Sequence, residues 1–183
     1  MLTRLVVFTL LLGALTGCSK PSTSMMQPAP AAVLKVIPAD GATAVRLDAG
    51  VSLDFGVAVD RSAVESGFHL VSEADMSGAC PDASMPAHGS MDAVMNDPTM
   101  LGHMDTYHAT AGTFSWNEAG TLCTFMPDTL MRVQTRYMMQ MDRSMLEMMS
   151  SMGGMMSGGT MTASGDMVAH FQTVTDDGHS GHH

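Results

Sequence analysis

The fold class predicted for this 183-residue chain is all-β, an antiparallel sandwich of about seven strands. Short segments in which apolar and polar residues alternate, as in half-buried strands, recur along it. Turn-forming residues separate those segments. The chain is 45% hydrophobic, enough for one core, although aromatics make up only 5%. Methionine supplies 22 residues against 14 leucines and a single isoleucine, Ile37. Because Met is ordinarily an occasional gap-filler in cores, its placement needs an explanation.

The N-terminus reads as an address. Met1–Arg4 is a short positive start, and an apolar run extends from Leu5 to Leu15. Such a run is too short for a hydrocarbon layer of about 30 Å and suits an export signal. Leu15-Thr16-Gly17-Cys18 resembles a bacterial lipobox. The resemblance implies that residues 1–17 are a lipoprotein signal peptide and that Cys18 is acylated. An ordinary secretory signal with an incidental Cys18 is the alternative. Acyl chains would anchor the protein at roughly 0.8 kcal/mol per buried CH₂. Ser19 after the Cys suits an outer-membrane location facing the periplasm, or the cell surface. Residues 18–32 form a Ser/Pro/Ala tether, extended by its prolines.

The strands come in order. Val33–Ile37 is stopped by Pro38, with a turn at Asp40-Gly41. Val51–Phe55 alternates, and Phe68–Val71 is the third. Gly112–Trp116 and Thr121–Phe125 flank Asn117-Glu-Ala-Gly120 as a hairpin. Arg136–Met141 and Met167–Val174 close the set, with Tyr137, Met139, Met141, Met167 and Phe171 on inward faces and His170 facing solvent. Short strands with turns between them make a sandwich.

Pro38-Ala-Asp-Gly41, Val51–Phe55, Val59-Asp60, the short Ser62–Val64 segment, Phe125-Met-Pro127, Tyr137 and Phe171-Gln-Thr173 resemble SbsA-type bacterial Ig-like domains. The likeness spans residues 33–174 and implies an Ig-like sandwich of an envelope or surface module, with no active site to carry over. The opening also resembles CopC-type periplasmic copper proteins. Those begin their mature chain with a copper-binding His, where this chain has Cys18 and a linker, so an N-terminal Cu(II) site is not implied.

Two segments depart from the pattern, 75–110 and 143–165, and they read as insertions holding most of the methionines. In the second, Met145, Met148, Met149, Met152, Met155 and Met156 share one face of a helix. An apolar stripe packing on the sandwich is one reading, and an oxidant-absorbing cluster another. Clustered thioethers are also soft neutral donors for Cu(I) or Ag(I). Gly153-Gly154 and Gly158-Gly159 weaken the distal half of any helix.

The first insertion interleaves thioether with imidazole: Met85, His88, Met91, then Met100, His103, Met104 and His108, across a Gly/Pro/Asp-rich loop. Imidazole adds capacity for Cu(II) and Zn(II), although single loop histidines are mostly solvated and idle. In the tail, residues 175–183, His179, His182 and His183 with Asp176 and Asp177 make a low-specificity divalent site, unless the tail is frayed or an expression scar. In an oxidising compartment Cys80 and Cys123 can form a disulfide. The competing reading has Cys123 as a buried thiol and Cys80 as a soft metal ligand.

Acidic residues outnumber basic ones, 18 to 8, for a formal charge of −10. Such a chain has no electrostatic footprint for nucleic acid. It contains no nucleotide loop, GxSxG elbow, HExxH or CxxC pair, so a non-catalytic protein is expected. The function expected is a lipid-anchored envelope protein that binds Cu(I) or Ag(I) through Met/His-rich loops, for buffering or hand-off to another envelope copper protein. The alternative is a structural or interaction surface module whose methionines serve packing.

Overall fold

The computed structural model describes residues 33–76, 80, 82, 88, 90–94, 97–153, 155–156, 159–162 and 164–175. The export signal, Cys18, the tether, Met85 and the tail with His179, His182 and His183 lie outside the described residues, as do the Met155 and Met156 side chains.

The chain forms an Ig-like β-sandwich. In order, the elements are β1 (Val33–Ile37), β2 (Ala42–Val45), β3 (Val51–Asp54), α1 (Arg61–Gly67), β4 (Phe68–Ser72), α2 (Glu73–Met76), α3 (Met91–Val94) and α4 (Pro98–Tyr107). Then come β5 (Gly112–Trp116), β6 (Leu122–Pro127), β7 (Arg136–Met141), α5 (Arg143–Ser151), β8 (Met155–Met156), β9 (Thr160–Met161) and β10 (Met167–Thr173). One sheet runs β5-β6-β3-β1-β8, and the other runs β2-β10-β7-β4 with β9 also on β10. All seven expected strands are present. β2, β8 and β9 are additional: β2 joins β10 in parallel and β8 joins β1 in parallel, and pairing of such short segments depends on a neighbouring edge more than on their own pattern.

Period-two alternation sorts the side chains. Leu34 and Val36, Val51 and Leu53, and Cys123 and Phe125 point from the first sheet into the main core. Phe68 and Leu70, Tyr137, Met139 and Met141, and Met167, Ala169 and Phe171 meet them from the second. The hairpin turn closes as expected: Asn117 Oδ1 accepts from the Thr121 and Leu122 amides, and Gly120 takes the left-handed conformation at φ 67°. Tyr137 Oη accepts from the Arg132 amide at 2.9 Å, which ties the start of β7 to the loop before it.

The two sheets differ on their outer faces. β1 presents Val33, Lys35 and Ile37 to solvent. β7, by contrast, is buried from Tyr137 to Met141 on both faces. Val71, Met138 and Val168 on the outer face of the second sheet pack with Met76, Met91, Val94, Leu101 and Met104 in a second hydrophobic cluster. Within the segment expected to be a Met/His-rich loop, α3 and α4 are helical and with α2 cap this face, while Cys80, Asp82 and His88 lie outside helices. A strand face carrying Val and Met must be covered, and each such side chain contributes about 1.5–3 kcal/mol when buried. The cap leaves β4 directly through α2 and returns to it, where Val71 bridges Ala109 and the Thr110 amide donates to Leu70 O at 2.6 Å.

The second insertion begins as a helix, and its stripe is core. Met145, Leu146 and Met149 of α5 lie in the main cluster, with Met148 and Met152 packed against it. Gly67 permits this approach, because a Cβ there would sit 3.1 Å from Met145 Cβ. The six-methionine helical face is corrected: α5 ends at Ser151, Gly153 turns the chain at φ 70°, and Met155 and Met156 belong to β8. Glycine lets the backbone reverse there, and the β1 edge captures Met155 and Met156 as a strand.

This packing sets two stability outcomes. Met104→Ala should cost about 2–5 kcal/mol in urea unfolding, with faster amide exchange concentrated in residues 98–107. Met149→Leu, which nearly conserves volume, should cost under about 1.5 kcal/mol.

Candidate metal centre

Helix α4 organises the site. Asp97 caps its N-terminus by accepting from the Thr99 amide at 2.9 Å, and Pro98 occupies the first turn. His103 lies within the helix, and His108 ends it with its amide donating to Met104 O at 2.9 Å. Met104 and Leu101 anchor the helix in the cap's hydrophobic cluster. His88, from the chain preceding α3, and Cys80, after α2, complete the constellation.

One ligand atom from each of Cys80, His88, His103 and His108 lies within 4.8 Å of all the others. Cys80 Sγ is 3.0 Å from His103 Nε2 and 3.6 Å from His108 Nε2, and His88 Nε2 is 3.1 Å from His108 Nε2. The three histidines are buried, and Cys80 is half-buried. Tyr107 lies against His103 with ring centroids 4.7 Å apart. The Asp82 amide donates to Cys80 Sγ at 3.3 Å.

Electrostatics suits these imidazoles to ligation. Burial holds the His88 pKa below the ordinary histidine value, and neighbouring His103 adds to the effect. Burial also lowers His108, reinforced by His88 and His103 and opposed by Asp75. Neutral imidazoles have a lone pair to offer without first losing a proton. Converging ring nitrogens gain more from a shared cation than from one another, because a hydrogen-bonded pair can hold only one proton between them. Three nitrogens and one sulfur match the donors of four-coordinate Zn(II) and of copper.

The predicted ligands therefore separate. His88, His103 and His108 come together. Met91 and Met104 are fully buried in the cap's cluster, with Met100 packed against it, while Met145, Met148, Met149 and Met152 serve the main core. The expected Cys80–Cys123 disulfide is corrected: both cysteines are free. Cys123 points from β6 into the main core, where burial pushes its thiol up to about 12, an inert group. Cys80 sits with the histidines, where the competing reading of it as a soft metal ligand would have it, outside the Met/His set that residue spacing suggests. Its signal in the sequence is a Cys in the same insertion as three His, which pairing with Cys123 would have hidden. His170 is also corrected: its side chain is only 13% exposed, beside Asp40, because the parallel strand β2 and the loop before it crowd that end of β10.

No protein-family model and no curated protein matches the chain at a significant level. Among solved structures, the chain is similar to an L,D-transpeptidase in complex with imipenem at 19% identity and TM-score 0.39, over 80% of this chain and 41% of that one. It is similar to an L,D-transpeptidase from Mycobacterium smegmatis at 18% identity and TM-score 0.38, over 79% and 41%. It is also similar to the S-layer protein rSbsC at 10% identity and TM-score 0.34, over 80% and 14%. The chain spans less than half the length of each. These matches correct the expectation of a non-catalytic protein, because L,D-transpeptidases are enzymes and missing motifs do not exclude catalysis. The likeness is one of fold, and no active site is carried over from it.

Acid should weaken metal binding here in a defined window. With His88 and His108 held below the ordinary value near 6.5, protons compete only once the pH falls under about 6.5. Affinity measured by competition titration should be nearly flat from pH 7.5 to 6.5 as far as these imidazoles set it, and should fall at lower pH.

Proposed function

We propose that the chain is a lipid-anchored envelope protein that binds copper, as Cu(I), through Cys80, His88, His103 and His108, and buffers it or passes it to another envelope copper protein. The convergence of those four ligand atoms within 4.8 Å carries the reading. One thiolate and three imidazoles suit a borderline-to-soft ion. The half-buried Cys80 offers an incoming acceptor thiol a route for ligand exchange. Silver(I) is the natural competitor. The lipobox at Leu15–Cys18 supports acylation of Cys18 and a membrane location, facing the periplasm or the cell surface. The order of motifs from Pro38 to Thr173 supports an SbsA-type module as the scaffold. The thioethers expected to bind metal at 145–152 are assigned to packing, which incorporates that half of the structural alternative.

Titration of the reduced, metal-free chain with Cu(I) against a chromophoric chelator tests this. The expected result is one tight equivalent, weakened at least tenfold by Cys80→Ser or His103→Gln and unchanged by Met145→Leu with Met149→Leu. Binding no tighter than the chelator, or indifference to both ligand substitutions, would sink the copper reading. Retention of zinc in preference to Cu(I) would reassign the ion.

A further inference from the structure

A second polar cluster lies where the cap meets the sandwich. His69 from β4, Asp105 from α4 and Asp142 from the β7–α5 junction each bring one ligand atom within 4.8 Å of the others. His69 Nε2 is 3.6 Å from Asp142 Oδ2, and both side chains are half-buried. Asp142 occupies the N-cap position of α5 yet makes no side-chain cap. Asp166 Oδ1 accepts from the Arg143 amide at 2.8 Å instead, leaving the Asp142 carboxylate turned to the cluster.

Gln140, cross-strand from His69 on the same outer face, supplies an independent observation. It is 1% exposed, and its Nε2 donates to Asp105 Oδ2 at 3.1 Å, so its amide head is at the cluster. Its Oε1 is buried without a hydrogen-bond partner, as is Asp105 Oδ1. Turning the amide over would set Oε1 against a carboxylate oxygen and leave Nε2 stranded. Leaving buried acceptors unsatisfied costs about 1–3 kcal/mol each, and a cation relieves acceptor oxygens that no donor reaches.

We propose that His69, Asp105 and Asp142, with the Gln140 amide oxygen, form a second metal site that takes a divalent borderline cation of the zinc class and fastens α4 to the sandwich. One imidazole with carboxylate and amide oxygens is a harder donor set than the thiol-containing centre, and the nitrogen disfavours calcium and magnesium. An ion here would join β4, β7, α4 and the start of α5. The inference does not depend on the copper reading, since the two sites share no ligand.

Zinc uptake by the full reduced chain, counted by native mass spectrometry and calorimetry, tests it through differences between variants that share the same tail. Cys80→Ser with His103→Gln disables the thiol-containing centre. Adding Asp105→Asn to that pair should remove one further zinc equivalent, and adding Asp142→Asn instead should weaken it at least tenfold. Asp105→Asn also removes a buried charge and gives Gln140 an amide neighbour, so the metal-free thermal midpoint should not fall. Unchanged zinc uptake on adding Asp105→Asn would show an ordinary ion-pair cluster and overturn the proposal. A difference between the parent and the Cys80/His103 variant reports on the other centre alone, so failure of either site is read separately.

Discussion

The constraint on which the site depends is the apolar outer face of the second sheet. Val71, Met138 and Val168 point away from the main core, and exposing them to water would forfeit much of what β7 contributes to stability. The cap covers them with Met76, Met91, Val94, Leu101 and Met104. Burying that face fixes the position of α4, which carries His103 and Asp105 and is capped at its C-terminus by His108. The candidate metal centre is thus a consequence of how the sheet is covered.

Helix periodicity divides the labour within α4. Leu101 and Met104 face the sheet, while His103 and His108 meet Cys80 and His88 at one side. Asp105 reaches Gln140. The cap is anchored at both ends to β4, so its helices cannot drift far from the face they cover. A ligand set carried on a clamped cap needs little rearrangement to receive an ion, which keeps the cost of ordering small. Burial lowers the pKa of His88 and His108, so the packing that positions these two imidazoles also disfavours their charged form.

Methionine has two roles set by location. Met139, Met141, Met167 and the methionines of α5 fill the main core, and Met76, Met91 and Met104 join Met138 between the cap and the second sheet. Flexible thioethers adapt to an irregular junction between helices and a pleated face. This accounts for the described inserted methionines, apart from the exposed Met161, without requiring each to bind metal. Imidazole and thiol supply the convergent groups, and the cap thioethers supply packing between α2, α3, α4 and the sheet.

By itself, the sequence determined seven of the ten described strands, since alternation along segments such as Val33–Ile37 and Met167–Thr173 encodes which side chains face inward. Beside a second histidine set in the tail at His179, His182 and His183, it also grouped His88, His103 and His108 in one inserted segment. Only the tertiary structure decided their partner. Cys80 is separated from His103 by 23 residues, and no periodicity links a residue after α2 to a helix that folds back over the sheet. The same holds for the methionines at 145–152: spacing placed them on one face, but whether that face met metal or core depended on the surface opposite. Local pattern is written in the order of residues, whereas the meeting of two surfaces is set by what each must bury.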